Sequence, residues 1–169
     1  MKVRRLFLII SLLAAALTVG RAADPAIEEK IKTVRARYAE IERELKVYRQ
    51  AKRDLPDESA EGGELTAFFK GSSLRKLSAH FFGETGKALE EYYFAENQQL
   101  IFVLRIETRY TNPMSGIAKS KTEQRFYFAE GKLIRWLNPD NKDVVAERAA
   151  AERERELLAS AKKYSALVQ

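Results

Sequence analysis

Two periodicities divide the chain. Between Asp24 and about Asp54 the apolar residues fall at Ile27, Ile31, Val34, Tyr38, Ile41, Leu45 and Tyr48. Steps of four and three place all of them on one stripe of an α-helix, with charged residues on the other side. Asp24 is positioned to cap that helix, and Pro25 fits its first turn, where a missing N–H costs nothing. At about 1.5 Å per residue the helix would be roughly 45 Å long. The segment Leu55 to Glu64, LPDESAEGGE, carries Pro, paired Gly and acids without an apolar period and reads as a linker.

Beyond the linker the period shortens to that of β-strands. Short β-branched and aromatic runs punctuated by Gly and Asn predict antiparallel strands near Leu65–Lys70, Leu74–Phe82, Lys87–Ala95, Gln99–Tyr110, Lys121–Ala129 and Lys132–Asn138. Three stretches repeat one hairpin pattern: FFKGSSLRKL at Phe68 to Leu77, YYFAENQQLIFV at Tyr92 to Val103, and FYFAEGKLIRWL at Phe126 to Leu137. Each is an aromatic pair, a polar turn and a Leu-led apolar run, with Phe69, Phe94 and Phe128 in matching places. Their unequal spacing points to a meander and away from a strict solenoid. Helical spacing returns at Lys142 to Val168, where Ala146, Ala150, Leu157, Ala161, Tyr164 and Val168 share a side that Arg153 interrupts. The expected fold is therefore α+β: an antiparallel β-meander of about six strands (65–138), packed by a long N-terminal helix (23–54) and a C-terminal helix (139–169).

The first residues add a compartment. Met1-Lys2-Val3-Arg4-Arg5 precedes LFLIISLLAAALTVG, a basic region followed by an apolar run too short to span a bilayer comfortably. Small Gly20 and Ala22 suit cleavage after Ala22, so 1–22 reads as a signal peptide and 23–169 as one exported domain, periplasmic or extracellular, with no membrane span after cleavage. The charge then changes. Lys2, Arg4, Arg5 and Arg21 leave and no acid does, so 30 basic residues fall to 26 against 24 acids. The basic balance belongs to the precursor and gives no support to nucleic-acid binding. With no cysteine, the exported domain relies on its hydrophobic core and has no disulfide.

The hairpin strings, joined by TRYTNP at Thr108 to Pro113, resemble those of small exported bacterial proteins of uncharacterised function. They are loosely similar to MORN-type hairpin repeats, departing from them where Asn97-Gln98 fills a turn that is usually glycine. The resemblance covers about Leu65 to Leu137, implies a meander and carries over no active site.

Alternation along the fourth predicted strand puts Leu100, Phe102, Leu104 and Ile106 on one face and Ile101, Val103, Arg105, Glu107 and Arg109 on the other. Setting Arg105 opposite Glu123 and Glu107 opposite Lys121 satisfies charge and places Phe102 opposite Phe126. In that register the second face gathers Tyr93, Ile101, Val103, Tyr127, Ile134 and Trp136, flanked by Arg105, Glu107, Arg109 and Arg125, with Arg125 in reach of Trp136 for stacking. Either the C-terminal helix covers these aromatics or they form an exposed aromatic and Arg patch, a composition favoured at interfaces and glycan-binding surfaces.

Catalytic parts are scarce. His80 is the sole histidine, and GxSxG and HExxH patterns are absent, so Ser-His and Cys-His mechanisms lack most of their groups. His80 points to the less apolar face of its strand, and neither it nor Glu91 makes a metal site. Glu90, Glu91 and Glu107 are the candidates for paired-carboxylate chemistry. Gly83-Glu84-Thr85-Gly86 reads as a hairpin turn. No cofactor is implied. The leading expectation is an exported, non-catalytic domain that binds a protein or envelope polymer through Tyr93, Arg105, Glu107, Arg109, Arg125, Tyr127 and Trp136. A periplasmic hydrolase using acidic residues and a homo-oligomer formed through the Ile27 to Tyr48 stripe stay open.

Overall fold

The computed structural model describes residues 24–168, so the signal-peptide reading of 1–22 lies outside the described residues. Asp24 caps α1 (Pro25–Glu44) by accepting the Ala26 N–H at 2.9 Å. A 3₁₀ turn, Leu45–Val47, ends the helix short of the expected Asp54. The chain there becomes a strand, β1 (Arg49–Asp54), followed by β2 (Gly63–Lys70), β3 (Ser73–Gly83), β4 (Gly86–Phe94), β5 (Leu100–Tyr110), β6 (Ala118–Ala129) and β7 (Lys132–Leu137), then α2 (Ala150–Ala166). The strands form one antiparallel sheet in sequence order, β1 to β7. The α+β meander is as expected, with seven strands instead of about six. The C-terminal helix is shorter than its pattern suggested. Ala146 is exposed ahead of it, while Ala150, Leu157, Ala161, Tyr164 and Val168 are buried.

The repeated hairpin is real and sits at one end of the sheet. At β2–β3, β4–β5 and β6–β7 the register shifts at the same point, between Phe68 and Phe69, Tyr93 and Phe94, and Tyr127 and Phe128. Each bulge turns the second aromatic to the face under α2, where Phe69, Phe94 and Phe128 share one core. Their partners are Leu74, Leu100 and Leu133. The Glu130-Gly131 turn has both residues at positive φ (54° and 75°), the geometry that matches strand twist in a two-residue hairpin. At the opposite end Gly86 needs to be glycine, since a Cβ there would stand 2.2 Å from the Thr108 carbonyl oxygen.

Each face of the sheet carries a helix. Under α2 lie Leu77, Ala79, Tyr92, Val103, Phe126 and the three hairpin phenylalanines, with Trp136 packed at the margin. Under α1 lie Tyr93, Phe102 and Tyr127, against Ile31, Val34 and Ile41. Ion pairs fix how α1 lies. Its N-terminal Glu28 meets Arg135 of β7 at 2.6 Å and Lys30 meets Glu130 at 3.0 Å, while Glu42 meets Lys76 of β3 at 2.7 Å and Glu44 meets Lys70 of β2 at 2.8 Å. The helix thus crosses the strands near the hairpin turns and leaves the far part of that face bare. The hydrogen bond from Arg135 holds the Glu28 carboxyl below its ordinary range, and that from Lys70 does the same for Glu44. Of the apolar stripe, Ile31, Val34, Ile41 and Tyr48 are buried against the chain's own sheet, and Ile27, Tyr38 and Leu45 are half-buried beside them.

Candidate functional site

The sequence-derived register is one residue off. Arg105 stands opposite Gln124, Glu107 opposite Thr122 and Phe102 opposite Tyr127. A slip of one inverts every side chain of a strand. Tyr127 therefore joins Tyr93 under α1, whereas Phe126, Val103 and Trp136 form a row under α2. Leu100 also departs from expectation and enters the α2 core, and Ile101 packs beside α1.

The seven expected site residues divide accordingly. Arg105, Glu107, Arg109 and Trp136 lie on the α2 side of the sheet, and Tyr93, Arg125 and Tyr127 on the α1 side. Trp136 is half-buried, stacked on Phe126 with ring centroids 5.4 Å apart, and its Nε1 donates to Gln124 Oε1 at 3.0 Å. The cation over its ring is Arg153 of α2, 5.8 Å from the centroid, in place of the expected Arg125. No single exposed aromatic patch exists on these residues. Arg105 bridges Glu90 (3.2 Å) and Glu107 (2.8 Å), while Glu91, on the opposite face, pairs with Lys76 at 2.7 Å. The three candidate carboxylates are thus each engaged by a cation.

What the structure does bring together is a cleft of about 360 Å³ between α1 and the β5–β6 surface. One wall is Val34, Arg35 and Tyr38, consecutive on the helix face; the other is Phe102 and Leu104 of β5 with Glu123, Arg125 and Tyr127 of β6. Tyr38 meets Phe102 edge-on at 5.3 Å, Phe102 tilts against Tyr127 at 5.0 Å, and the Arg35 guanidinium lies 5.7 Å from the Tyr127 centroid. Arg125 pairs with Glu123 at 2.6 Å on the rim. Arg125 and Tyr127 belong to the expected set. Arg35, Tyr38 and Glu123 do not: Tyr38 reads as core in a stripe, and Arg35 gains meaning only once the helix is laid on the sheet.

Behind this cleft the polar groups are tightly satisfied. Lys76 is buried between Glu42 and Glu91, both at 2.7 Å, and the Tyr93 hydroxyl, with one proton to donate, stands within hydrogen-bond distance of both Glu42 (2.8 Å) and Glu91 (2.9 Å). Burial first, then the two carboxylates, pushes the Tyr93 phenol well above its ordinary value. Burial and Glu90 do the same to Tyr92, and burial and Glu58 to Tyr164. Among the described residues the buried side-chain atoms without a hydrogen-bond partner are Nε and Nη2 of Arg75, whose Nη1 reaches Glu96 at 3.5 Å. His80 is half-buried beyond α1, its ring stacked on Phe82 at 6.4 Å. Among the described residues no group of His, Cys, Asp and Glu is arranged to hold a metal, and no helix is long and apolar enough to cross a membrane.

These phenols give an alkaline prediction. A folded-state pKa raised above the unfolded value contributes stability that is present below about pH 10 and lost as pH rises through the folded value. Tyr92, Tyr93 and Tyr164 should therefore resist ionisation until the chain unfolds. Tyrosinate absorbance from these residues and loss of helical circular dichroism are expected to rise in one transition above pH 10. Smooth ionisation of all seven tyrosines in a folded chain would contradict that burial.

Comparison of the chain with protein-family models, curated proteins and solved structures finds no match in any of the three.

Proposed function

We propose that the chain is an exported, non-catalytic binding domain that holds a protein or envelope polymer in the cleft between α1 and β5–β6. The observation that carries this reading is the lining of that cleft: three aromatic rings, with Arg35, which makes no ion pair among the described residues, and the Arg125–Glu123 pair at the rim. Tyrosine and phenylalanine offer broad apolar area at small entropic cost, and a guanidinium fork fits carboxylate or phosphate. Such a surface suits an extended segment bearing an acidic group. The engaged state of Glu90, Glu91 and Glu107 supports binding over acid chemistry.

Arg35 and Arg125 are exposed, so truncating them should change stability by no more than about 0.5 kcal/mol. Calorimetric titration with soluble cell-wall glycan fragments and with acidic peptides tests the reading. Combined Arg35→Ala and Arg125→Ala substitutions are expected to weaken whichever binds by about 30-fold, equivalent to roughly 2 kcal/mol. Unchanged affinity in a folded double variant would show that the ligand binds elsewhere than in the cleft.

A further inference from the structure

The end of the sheet away from the three aromatic hairpins carries a surface of another kind. There the β3–β4 turn and the loop of residues 111–117 between β5 and β6 lie side by side. Tyr110 donates its N–H to the Thr85 carbonyl at 2.9 Å, and Met114 donates to the Glu84 carbonyl at 2.7 Å. Within the loop the Thr111 N–H meets the Ile117 carbonyl at 2.9 Å, and the Ile117 N–H meets Ser115 Oγ at 3.3 Å. The loop is thus tied down, yet its apex is apolar: Met114 is 79% exposed and Ile117 65%. Met114 holds φ at 58°, a left-handed conformation that disfavours a residue with a side chain. An internally bonded loop that keeps this backbone and points a methionine at solvent suits a site of contact.

Cations surround the apex. Lys87, Thr108 and Lys121 form one cross-strand row, and Arg109 and Lys119 flank the loop. From Thr108 to Thr122 the sequence holds three basic residues and no acid. The nearest strand acids are already occupied, Glu107 by Arg105 at 2.8 Å and Glu123 by Arg125 at 2.6 Å. Lys87, Arg109, Lys119 and Lys121 make no ion pair among the described residues. The acids at this end are Glu84 in the adjoining turn and, in the β1–β2 loop beside it, Asp57 and Glu61, whose N–H meets the Phe82 carbonyl at 3.3 Å; the four cations outnumber these three.

We propose that this tip docks on the surface of an anionic phospholipid bilayer. Met114 and Ile117 enter the boundary between headgroups and acyl chains, and Lys87, Arg109, Lys119 and Lys121 rest on the phosphates. A folded protein partner would need a shape-matched patch of roughly 800 Å². Two side chains at the apex of a narrow loop offer no such area, whereas a fluid bilayer accepts a wedge. This surface lies apart from the cleft and does not depend on it.

The chain has no cysteine, so Met114→Cys gives a single attachment point for a polarity-sensitive fluorophore. Mixed with vesicles of phosphatidylglycerol and phosphatidylcholine, that label should shift to the blue and brighten, and vesicles of phosphatidylcholine alone should leave it unchanged. A label at Val47→Cys, 83% exposed at the opposite end, should not respond in either case. Each cation near an anionic surface contributes about fivefold, so Lys119→Glu with Lys121→Glu should weaken the response at least about 25-fold. Thermal melts of each labelled chain confirm folding, and Ile117→Cys provides a second reporter should Met114→Cys disturb the loop. A silent label on anionic vesicles, an equal response to neutral ones, or a response indifferent to charge reversal would each overturn the proposal.

Discussion

Replacing Ile41 with Asp is expected to leave the chain without a stable fold. Ile41 is fully buried, on the face of α1 that packs against Tyr93, Phe102 and Tyr127. Losing its burial costs roughly 1.5–3 kcal/mol, and an unpaired carboxylate placed there costs several more. Together these approach the 5–15 kcal/mol by which domains of this size are stable. The matching exposed change on the same helix, Ala36→Asp, should stay within about 1 kcal/mol of wild type. Circular dichroism melts of the two variants separate the possibilities, because a helix that did not dock would tolerate both alike.

Lys76→Ala is expected to cost about 3 kcal/mol, the lower end of the range for breaking a buried ion pair. Lys76 is buried, with its ammonium between Glu42 and Glu91, and its removal leaves two carboxylates facing a low-dielectric interior. The lower end applies because the Glu42 side chain keeps 34% exposure and water can reach it. Removing the charges together should be milder. Lys76→Met combined with Glu42→Gln and Glu91→Gln keeps volume and hydrogen-bonding capacity for the Tyr93 hydroxyl, so most of the loss should return in a urea titration. If the triple variant is as weak as Lys76→Ala, the cluster matters for packing and its charge is incidental.

Much of this architecture was legible in the pattern of apolar residues. Six strands and the thrice-used hairpin follow from alternation, and both helices from steps of three and four, because their inward faces are continuous and burial selects them. The strand β1 was not legible. Its sequence, RQAKRD, has one small apolar residue, and as an edge strand exposed over most of its length it needs no apolar face; Tyr48, meanwhile, extends the helical stripe by one more step. The register failed for a more general reason. Arg105 and Glu123 look complementary across strands, yet Arg105 is taken up by Glu107 on its own strand and by Glu90 of β4, and Arg125 by Glu123 on its own strand. Charges that find partners along their own strand or on the far neighbour carry no information about the β5–β6 register. The bulges before Phe94 and Phe128 then redistribute the aromatics, which is why the expected patch is divided between the two faces of the sheet. Of the cleft, only Arg125 and Tyr127 could be named beforehand, because Arg35 and Tyr38 acquire their role from where α1 crosses the sheet.

The face of the sheet that receives the ligand is the deciding point, and side-chain NMR reads both faces in one titration. Tyr38 and Tyr127 line the cleft, while the Trp136 indole N–H lies on the opposite side, bonded to Gln124. When the glycan fragment or acidic peptide that binds in the calorimeter is added, the ring signals of Tyr38 and Tyr127 should shift progressively and the Trp136 indole signal should hold its position. Movement of the Trp136 signal with Tyr38 and Tyr127 unmoved would place binding under α2 and contradict the cleft.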